Sequence, residues 1–277
     1  MREFITVARR PFLAVLLFLS LQFAAGVSVM VVRAVSGNGN IGDLFSPDTS
    51  VIRIIAVTTL VCDLLMAVGC MVLFRSSVYF RSTYRPLSAS WTGNITAMTG
   101  CILGTAALDI FGELAEVPDM MMNVMMELCR DPWGVAAIAV AAPVAEELMF
   151  RHGIMGHMLR NGCSVRVSLL VSSLLFGLIH INPAQVFFAV PMGVLLGMLY
   201  WRSGSVLWPV ALHVLNNSVA CVQVWVVGDG VGDMALSDVF GGRIAAFAAA
   251  CVMAVMCAVV MWWYCTVNGR RKAVGLR

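Results

Sequence analysis

Long apolar stretches dominate this chain and restrict it to one kind of fold. Eight predominantly apolar runs cover about 11–33, 51–74, 91–112, 134–160, 166–181, 184–201, 205–227 and 242–266. Most of them approach the roughly 20 residues that a helix needs to cross the hydrocarbon core at ~1.5 Å rise per residue. Helix-breaking residues such as Pro86, Pro132 and Gly204 separate the runs. The sequence therefore predicts an all-α, polytopic transmembrane helical bundle of about eight helices.

The composition excludes several other classes of protein. Of the 277 residues, 60% are hydrophobic and only 12% are charged, whereas a soluble domain carries about 25% charged residues. The shortage of charge excludes an ordinary soluble enzyme and a disordered chain. A formal net charge of +3 is too small to indicate a polyanionic partner, so no nucleic acid is expected.

The distribution of basic residues predicts an orientation. Fourteen of the 18 Lys and Arg residues fall in segments on one side of the predicted spans, and most loop acids fall on the other. The positive-inside rule then places both termini and the 75–90 loop in the cytoplasm, with the protein in the plasma or inner membrane. Residues 1–28 also resemble a cleavable signal peptide, but a retained first helix is favoured because the apolar run continues to Val32.

We expect the chain to divide near residue 90. Residues 1–90 would form the first two transmembrane helices and a cytoplasmic loop, and residues 91–277 the other six. Most of the nine cysteines lie inside apolar runs, whereas Cys129 falls in a predicted outer loop. Their spacing includes no CxxC pair, so the pattern indicates neither a disulfide framework nor a zinc finger.

Ionisable residues inside the predicted helices need an explanation because burying them in a bilayer is costly. Asp63 and Asp109 are single acids in apolar helices, and a buried hydrogen bond between helices is favoured over a transport role. A denser group of polar side chains lies on three later helices: Glu146, Glu147 and Arg151 on the fourth, His180 at the end of the fifth, and His213 and Asn217 on the seventh.

Helical rise predicts that these groups lie at a similar depth. Glu146 lies 14 residues before Arg160, and His180 lies 14 residues after Arg166, so each is about 21 Å from the cytoplasmic end of its helix. The argument requires the fourth helix to continue past Arg151 to Arg160.

The spacing on the fourth helix suggests different roles for its two adjacent acids. Glu147 and Arg151 are at i,i+4 and can pair. Glu146 is rotated by about 100° from Glu147, so it can face a cavity and act as a general base.

The other two helices supply groups that suit peptide hydrolysis. His213 and Asn217 are also at i,i+4 and can aim at one developing oxyanion. His180 would share a proton with Glu146 or orient its water. Together these residues form a plausible peptide-hydrolysis site that needs no serine or cysteine nucleophile.

Three motifs in this region resemble those of the CPBP family of intramembrane proteases, also called the Abi or type II CAAX-protease family. The family pattern EExxxR, FxxxH and HxxxN is matched by Glu146-Glu147-x-x-x-Arg151, Phe176-x-x-x-His180 and His213-x-x-x-Asn217. Each motif alone is weak, but all three in order on nearby membrane helices form a specific signal. The resemblance covers about residues 134–220.

The resemblance implies a metal-independent intramembrane endopeptidase with an eight-helix core and no cofactor. It implies that Glu146 and His180 activate water, that His213 and Asn217 form the oxyanion hole, and that Glu147 and Arg151 are supporting residues. One departure is His152, where the family often has glycine.

The resemblance implies peptide-bond hydrolysis more firmly than a particular substrate. Some family members process prenylated CAAX proteins, and others are linked to bacteriocin immunity or maturation. The expected partners are membrane lipid and a protein or peptide substrate, prenylated or not, and the oligomeric state is left open.

Other functions remain open from the residues alone. Glu146, His180 and His213 could bind zinc and leave one position for water, although the usual HExxH helix is absent. A catalytically silent membrane scaffold and a proton-coupled transporter are the non-enzymatic alternatives.

Overall fold

The computed structural model describes residues 2–35, 49–74, 90–228 and 235–266, and every regular element within these ranges is helical. In chain order the helices are α1 (Arg2–Val35), α2 (Thr49–Leu73), α3 (Trp91–Leu114), α4 (Met122–Arg130), α5 (Pro132–Arg160), α6 (Val165–Leu178), α7 (Pro183–Ser203), α8 (Leu207–Val227), α9 (Leu236–Val239) and α10 (Arg243–Thr266). The predicted all-α polytopic bundle is confirmed.

Helix α6 is shorter than the sequence predicts. Seven helices in the described ranges are long and apolar enough to cross a membrane. Helix α6 ends at Leu178 rather than near residue 181 and has 14 residues, or about 21 Å against a hydrocarbon core of about 30 Å. Many charges behind the orientation argument lie outside the described residues, in 36–48, 75–89, 229–234 and 267–277. The orientation therefore remains a prediction.

The chain groups into two compact units, each assembled from separate stretches of sequence. The first comprises the described residues of Met1–Arg81, Met120–Asn161 and His213–Gly232. The second comprises those of Ser82–Asp119, Gly162–Leu212 and Asp233–Arg277. The division near residue 90 stays a prediction about domains.

Helix α2 organises the core of the first unit. It packs against α1, α4 and parts of α5. Helix α4 is a short amphipathic helix within the Met-rich 113–131 segment, and its Val124 and Leu128 are buried against Ile52 and Ala56 of α2. The apolar face of α4 thus contacts protein.

Asp131 begins α5. Its Oδ1 atom accepts hydrogen bonds from the backbone N–H groups of Trp133, at 2.9 Å, and Gly134, at 3.2 Å, which is a helix N-cap. Its Oδ2 atom pairs with Arg53 at 3.2 Å. Burial alone raises the pKa of Asp131, but these hydrogen bonds and the Arg53 charge outweigh burial and hold the pKa below its ordinary value.

Helix α5 continues to Arg160, as the depth argument requires. Two π-helical segments interrupt it, Ala136–Ala141 and Leu148–Met155, on either side of the α-helical stretch Ala142–Glu147. π-Helical turns inside α-helices are rare and frequently occur at functional sites. Glu146 and Glu147 therefore lie at the end of the α-helical stretch, directly before the second π-helical segment.

In the second unit, α6 and α7 pack closely along small residues. A Cβ added at Gly193 would lie 3.1 Å from the Ser173 Cα atom, and one added at Gly177 would collide with the Val190 side chain. The backbone at Gly193 therefore lies close to α6. The contact at Gly177 lies next to Leu178, the last residue of α6.

Candidate active site

Glu147 is the centre of a buried charged cluster in the first unit. Its Oε1 atom accepts hydrogen bonds from Arg151 Nη1 at 2.9 Å and from His213 Nδ1 at 3.0 Å. The side chains of Glu147 and Arg151 are both 0% exposed. The predicted i,i+4 ion pair is confirmed. Since both bonds use one oxygen, Glu147 is committed to holding the cluster together.

Glu146 is the more accessible of the two acids. Its side chain is 16% exposed, and its Oε2 atom lies 3.7 Å from His213 Nε2. His213 therefore bridges the two acids, with Nδ1 toward Glu147 and Nε2 toward Glu146. Because a carboxylate oxygen accepts, His213 Nδ1 carries the hydrogen in its bond to Glu147. The sequence pattern paired His213 with Asn217 and grouped it with Glu146 only as a zinc ligand, so the contact of His213 with Glu147 was not predicted.

Asp63 of α2 is a further acid in this neighbourhood. Its side chain is buried, and it lies near enough to Glu146 for the two acids to interact electrostatically. Its Oδ2 atom has no hydrogen-bond partner among the described residues, so the interhelical hydrogen bond favoured from sequence is not found at that atom. The only sequence signal was a lone acid in an apolar helix, which gave no indication of its neighbour.

Asn217 contacts the first π-helical segment. Its Nδ2 atom donates to the backbone carbonyl of Ile138 at 2.9 Å. In a π-helix the N–H of residue i+5 would bond this carbonyl, but residue i+5 is Pro143, which has no N–H. Asn217 therefore supplies the hydrogen bond that proline cannot, and it ties α8 to the irregular part of α5.

His180 lies in the second unit, just beyond the end of α6. The backbone N–H of Asn182 donates to the His180 carbonyl at 2.6 Å, and Ile181 between them has φ of 61°. A positive φ is unusual for a β-branched residue, and a three-residue turn of this hand is rare and strained. Such strain persists when the surrounding structure imposes it and clusters at active sites.

The FxxxH spacing fixes the orientation of the His180 ring. Its Nδ1 atom lies 2.8 Å from the backbone carbonyl of Phe176, and the two rings meet edge-on with centroids 5.4 Å apart. A carbonyl only accepts hydrogen bonds, so Nδ1 carries the hydrogen. In the neutral ring Nε2 is then the basic atom.

The structure brings together part of the predicted site. Glu146, Glu147, Arg151 and His213 form one cluster, and Asn217 follows His213 by one turn on α8. The approach of His180 to Glu146 stays a prediction. At His152, where the family often has glycine, the backbone carbonyl accepts a hydrogen bond from Arg160 at 3.0 Å.

Metal ligation was the main chemical alternative from sequence. The described ranges contain no group of three His, Cys, Asp or Glu side chains arranged to hold a metal ion. Within the charged cluster, Glu147 contacts Arg151 and His213 directly.

Comparison with known proteins gives one match. The model of a family described as type II CAAX prenyl endopeptidase, Rce1-like, matches residues 129–219, about a third of the chain and the part that holds all three motifs. Neither the curated proteins nor the solved structures give a match. The matched family supports a protease, that is, a hydrolase of peptide bonds, embedded in a membrane. Residues 129–219 are thus similar to the Rce1-like type II CAAX endopeptidase family, which is consistent with the CPBP (Abi) resemblance of the three motifs.

Proposed function

We propose that this protein is an intramembrane endopeptidase that hydrolyses peptide bonds of membrane-associated proteins or peptides through a water molecule activated by Glu146 and His180. The observation that carries the proposal is the buried cluster of Glu146, Glu147, Arg151 and His213 within the segment that matches the protease family. An uncompensated carboxylate inside a membrane protein is costly, so an accessible acid beside a neutralised one indicates a function.

Glu146 is the general base in this mechanism. Glu147 is occupied by Arg151 and His213, whereas Glu146 approaches His213 at the longer distance of 3.7 Å and is partly exposed. The water oxygen attacks the carbonyl carbon of the scissile bond, and the water proton passes to the Glu146 carboxylate. Glu146 then returns the proton to the leaving nitrogen as the C–N bond breaks, so the carboxylate is regenerated.

His180 orients the attacking water. With the hydrogen on Nδ1 held by the Phe176 carbonyl, Nε2 can accept a hydrogen bond from the water. The strained turn at Ile181 is the backbone feature that supports this role.

His213 and Asn217 stabilise the oxyanion of the tetrahedral intermediate. The Asn217 amide has two N–H bonds, of which the Ile138 carbonyl accepts one, so the second is available to the developing charge. His213 donates from Nε2 and therefore carries hydrogens on both ring nitrogens at this step. The cost of losing one oxyanion donor is typically 10²–10³-fold in rate.

The site's place within a membrane helix favours substrates that enter from the lipid. The name of the matched family points to prenylated CAAX proteins, and we propose membrane-associated chains, prenylated or not, as the substrate class. We also propose the plasma or inner membrane as the location, with both termini in the cytoplasm. Protease accessibility of a tag at each terminus in sealed vesicles tests the orientation.

Single substitutions in reconstituted protein test the mechanism. Glu146→Ala, His180→Ala and His213→Ala should abolish cleavage without loss of membrane insertion, and Asn217→Ala should lower the rate about 10²–10³-fold. Glu127→Ala is the matched control, because that acid pairs with Arg130 on the exposed face of α4 and should leave the rate unchanged. Wild-type cleavage by the Glu146→Ala protein would overturn the mechanism.

Two further measurements address the alternatives. Comparing membrane-protein termini in wild-type and Glu146→Ala cells identifies substrates, since their new termini disappear only in the variant; an identical set in both strains favours a silent scaffold. Treating the purified protein with a chelator distinguishes a mechanism in which the Glu146 carboxylate activates water from one that uses a zinc ion. Retained activity in a metal-free preparation supports the Glu146 mechanism, and activity restored only by added zinc contradicts it.

A further inference from the structure

Two cysteines that lie far apart in the sequence meet inside the first unit. The Sγ atoms of Cys129, in α4, and Cys221, in α8, are 3.0 Å apart and separated by 92 residues along the chain. Cys129 is 5% exposed and Cys221 is 2% exposed. A disulfide bond has an S–S length of about 2.04 Å, so the sulfur atoms need to approach by only about 1 Å to form one.

The surroundings hold both cysteines in place. An apolar cluster of Ala139, Val224 and neighbouring side chains packs around the pair. Trp225, one turn beyond Cys221 on α8, donates from Nε1 to the backbone carbonyl of Cys129 at 2.6 Å. The Trp225 side chain of α8 thus bonds the backbone of α4 beside the two sulfur atoms, and both cysteines lie within helices.

The predicted orientation places this pair in a compartment that sustains disulfides. Cys129 falls on the side of the membrane opposite the basic loops, which the positive-inside rule makes non-cytoplasmic. Disulfides form and persist in such oxidising compartments and are rare in the cytosol.

We propose that Cys129 and Cys221 form a structural disulfide that fastens α4 to α8. Each thiol loses its proton, one S–S bond forms, and the two electrons reduce a disulfide-bearing oxidant to its dithiol by exchange. Because both sulfur atoms are buried, the exchange precedes the final packing of α4 against α8. The folded protein then shields the bond from reductant.

The bond braces the part of α8 that carries predicted site residues. Cys221 lies one turn beyond Asn217, and Asn217 in turn bonds Ile138 in the first π-helical segment. The disulfide adds a connection from α8 to α4, one turn beyond the Asn217 bond from α8 to α5. Its effect on cleavage rests on the proposed protease function, but its existence does not.

Counting thiols tests the bond directly. Cells are quenched in acid, the protein is alkylated in denaturant, and the attached groups are counted by intact mass. Since the chain has nine cysteines, we expect seven labelled thiols without reduction and nine after it. Peptide mapping of the unreduced wild-type protein should find one linked pair, Cys129 with Cys221. Nine labelled thiols without reduction, or a different linked pair, overturns the proposal.

Single variants assign the bond to these two residues. Cys129→Ser and Cys221→Ser should each give eight labelled thiols with or without reduction, because each frees the partner. Cys70→Ser is the matched control, a buried cysteine on α2 of the same unit, and should give six thiols without reduction and eight after it. Six unreduced thiols in Cys129→Ser would place the bond elsewhere and overturn the assignment.

The thiol count is independent of proteolysis, so the two proposals fail separately. A protein with seven unreduced thiols and no cleavage contradicts the protease and leaves the disulfide standing. A protein that cleaves its substrate but shows nine unreduced thiols contradicts the disulfide alone.

Discussion

Replacing Arg151 with methionine removes one charge from a fully buried ion pair. Glu147 and Arg151 are 2.9 Å apart and both are 0% exposed. In the variant, the Glu147 carboxylate keeps only its bond to His213. Removing one partner of a buried pair costs about 3–5 kcal/mol because an uncompensated charge remains inside. At 1.4 kcal/mol per factor of ten, the unfolding equilibrium constant should rise by roughly 100- to 4,000-fold.

The double variant Glu147→Gln/Arg151→Met should be more stable than Arg151→Met alone. It removes both charges at similar volume, and replacing a buried pair with neutral side chains is often nearly neutral. The glutamine oxygen can still accept from His213 Nδ1. We expect the double variant to recover about 2 kcal/mol or more relative to the single one.

Unfolding by a denaturing detergent in mixed micelles gives the four free energies of this double-mutant cycle. The matched control is the cycle Glu127→Gln/Arg130→Met on α4, whose side chains are 41% and 33% exposed and whose coupling should be below about 1 kcal/mol. If Arg151→Met costs less than about 1 kcal/mol, or if the effects of the two substitutions simply add, buried charge does not govern this cluster and the reasoning is refuted.

Three smaller changes test the local geometry. Asp131→Ala should cost about 1–2 kcal/mol because it removes the N-cap of α5. Since the pKa of Asp131 is lowered in the folded protein, its ionic contribution to stability is present above about pH 3.9 and is lost as the pH falls below that value. The difference in stability between the wild-type protein and Asp131→Asn should therefore narrow at low pH. Gly177→Ala should destabilise by about 1–3 kcal/mol, measured by the same unfolding, because the added Cβ meets Val190. Ile181→Gly removes the strain that a β-branched residue has at positive φ. It should change the free energy of unfolding by less than about 1 kcal/mol but slow cleavage. Unchanged cleavage would contradict a positioning role for this turn.

Local patterns predicted the features that depend on local spacing. Apolar runs long enough to cross a bilayer force helices, because backbone polar groups in lipid must bond within their own segment. The pairing of Glu147 with Arg151 followed from i,i+4 geometry. The predicted end of α6 was wrong by about three residues, because the apolar pattern gives no sign of the strained turn at Ile181.

The sequence by itself determined a helical membrane protein and named the polar residues that its helices could present to one another. Only the tertiary structure decided that His213 bridges both acids, that Asn217 completes the bond Pro143 cannot make, and that Cys129 meets Cys221. These contacts join residues 66, 79 and 92 positions apart. Periodicity fixes which face of a helix a side chain occupies, whereas the partner it meets depends on how the helices pack.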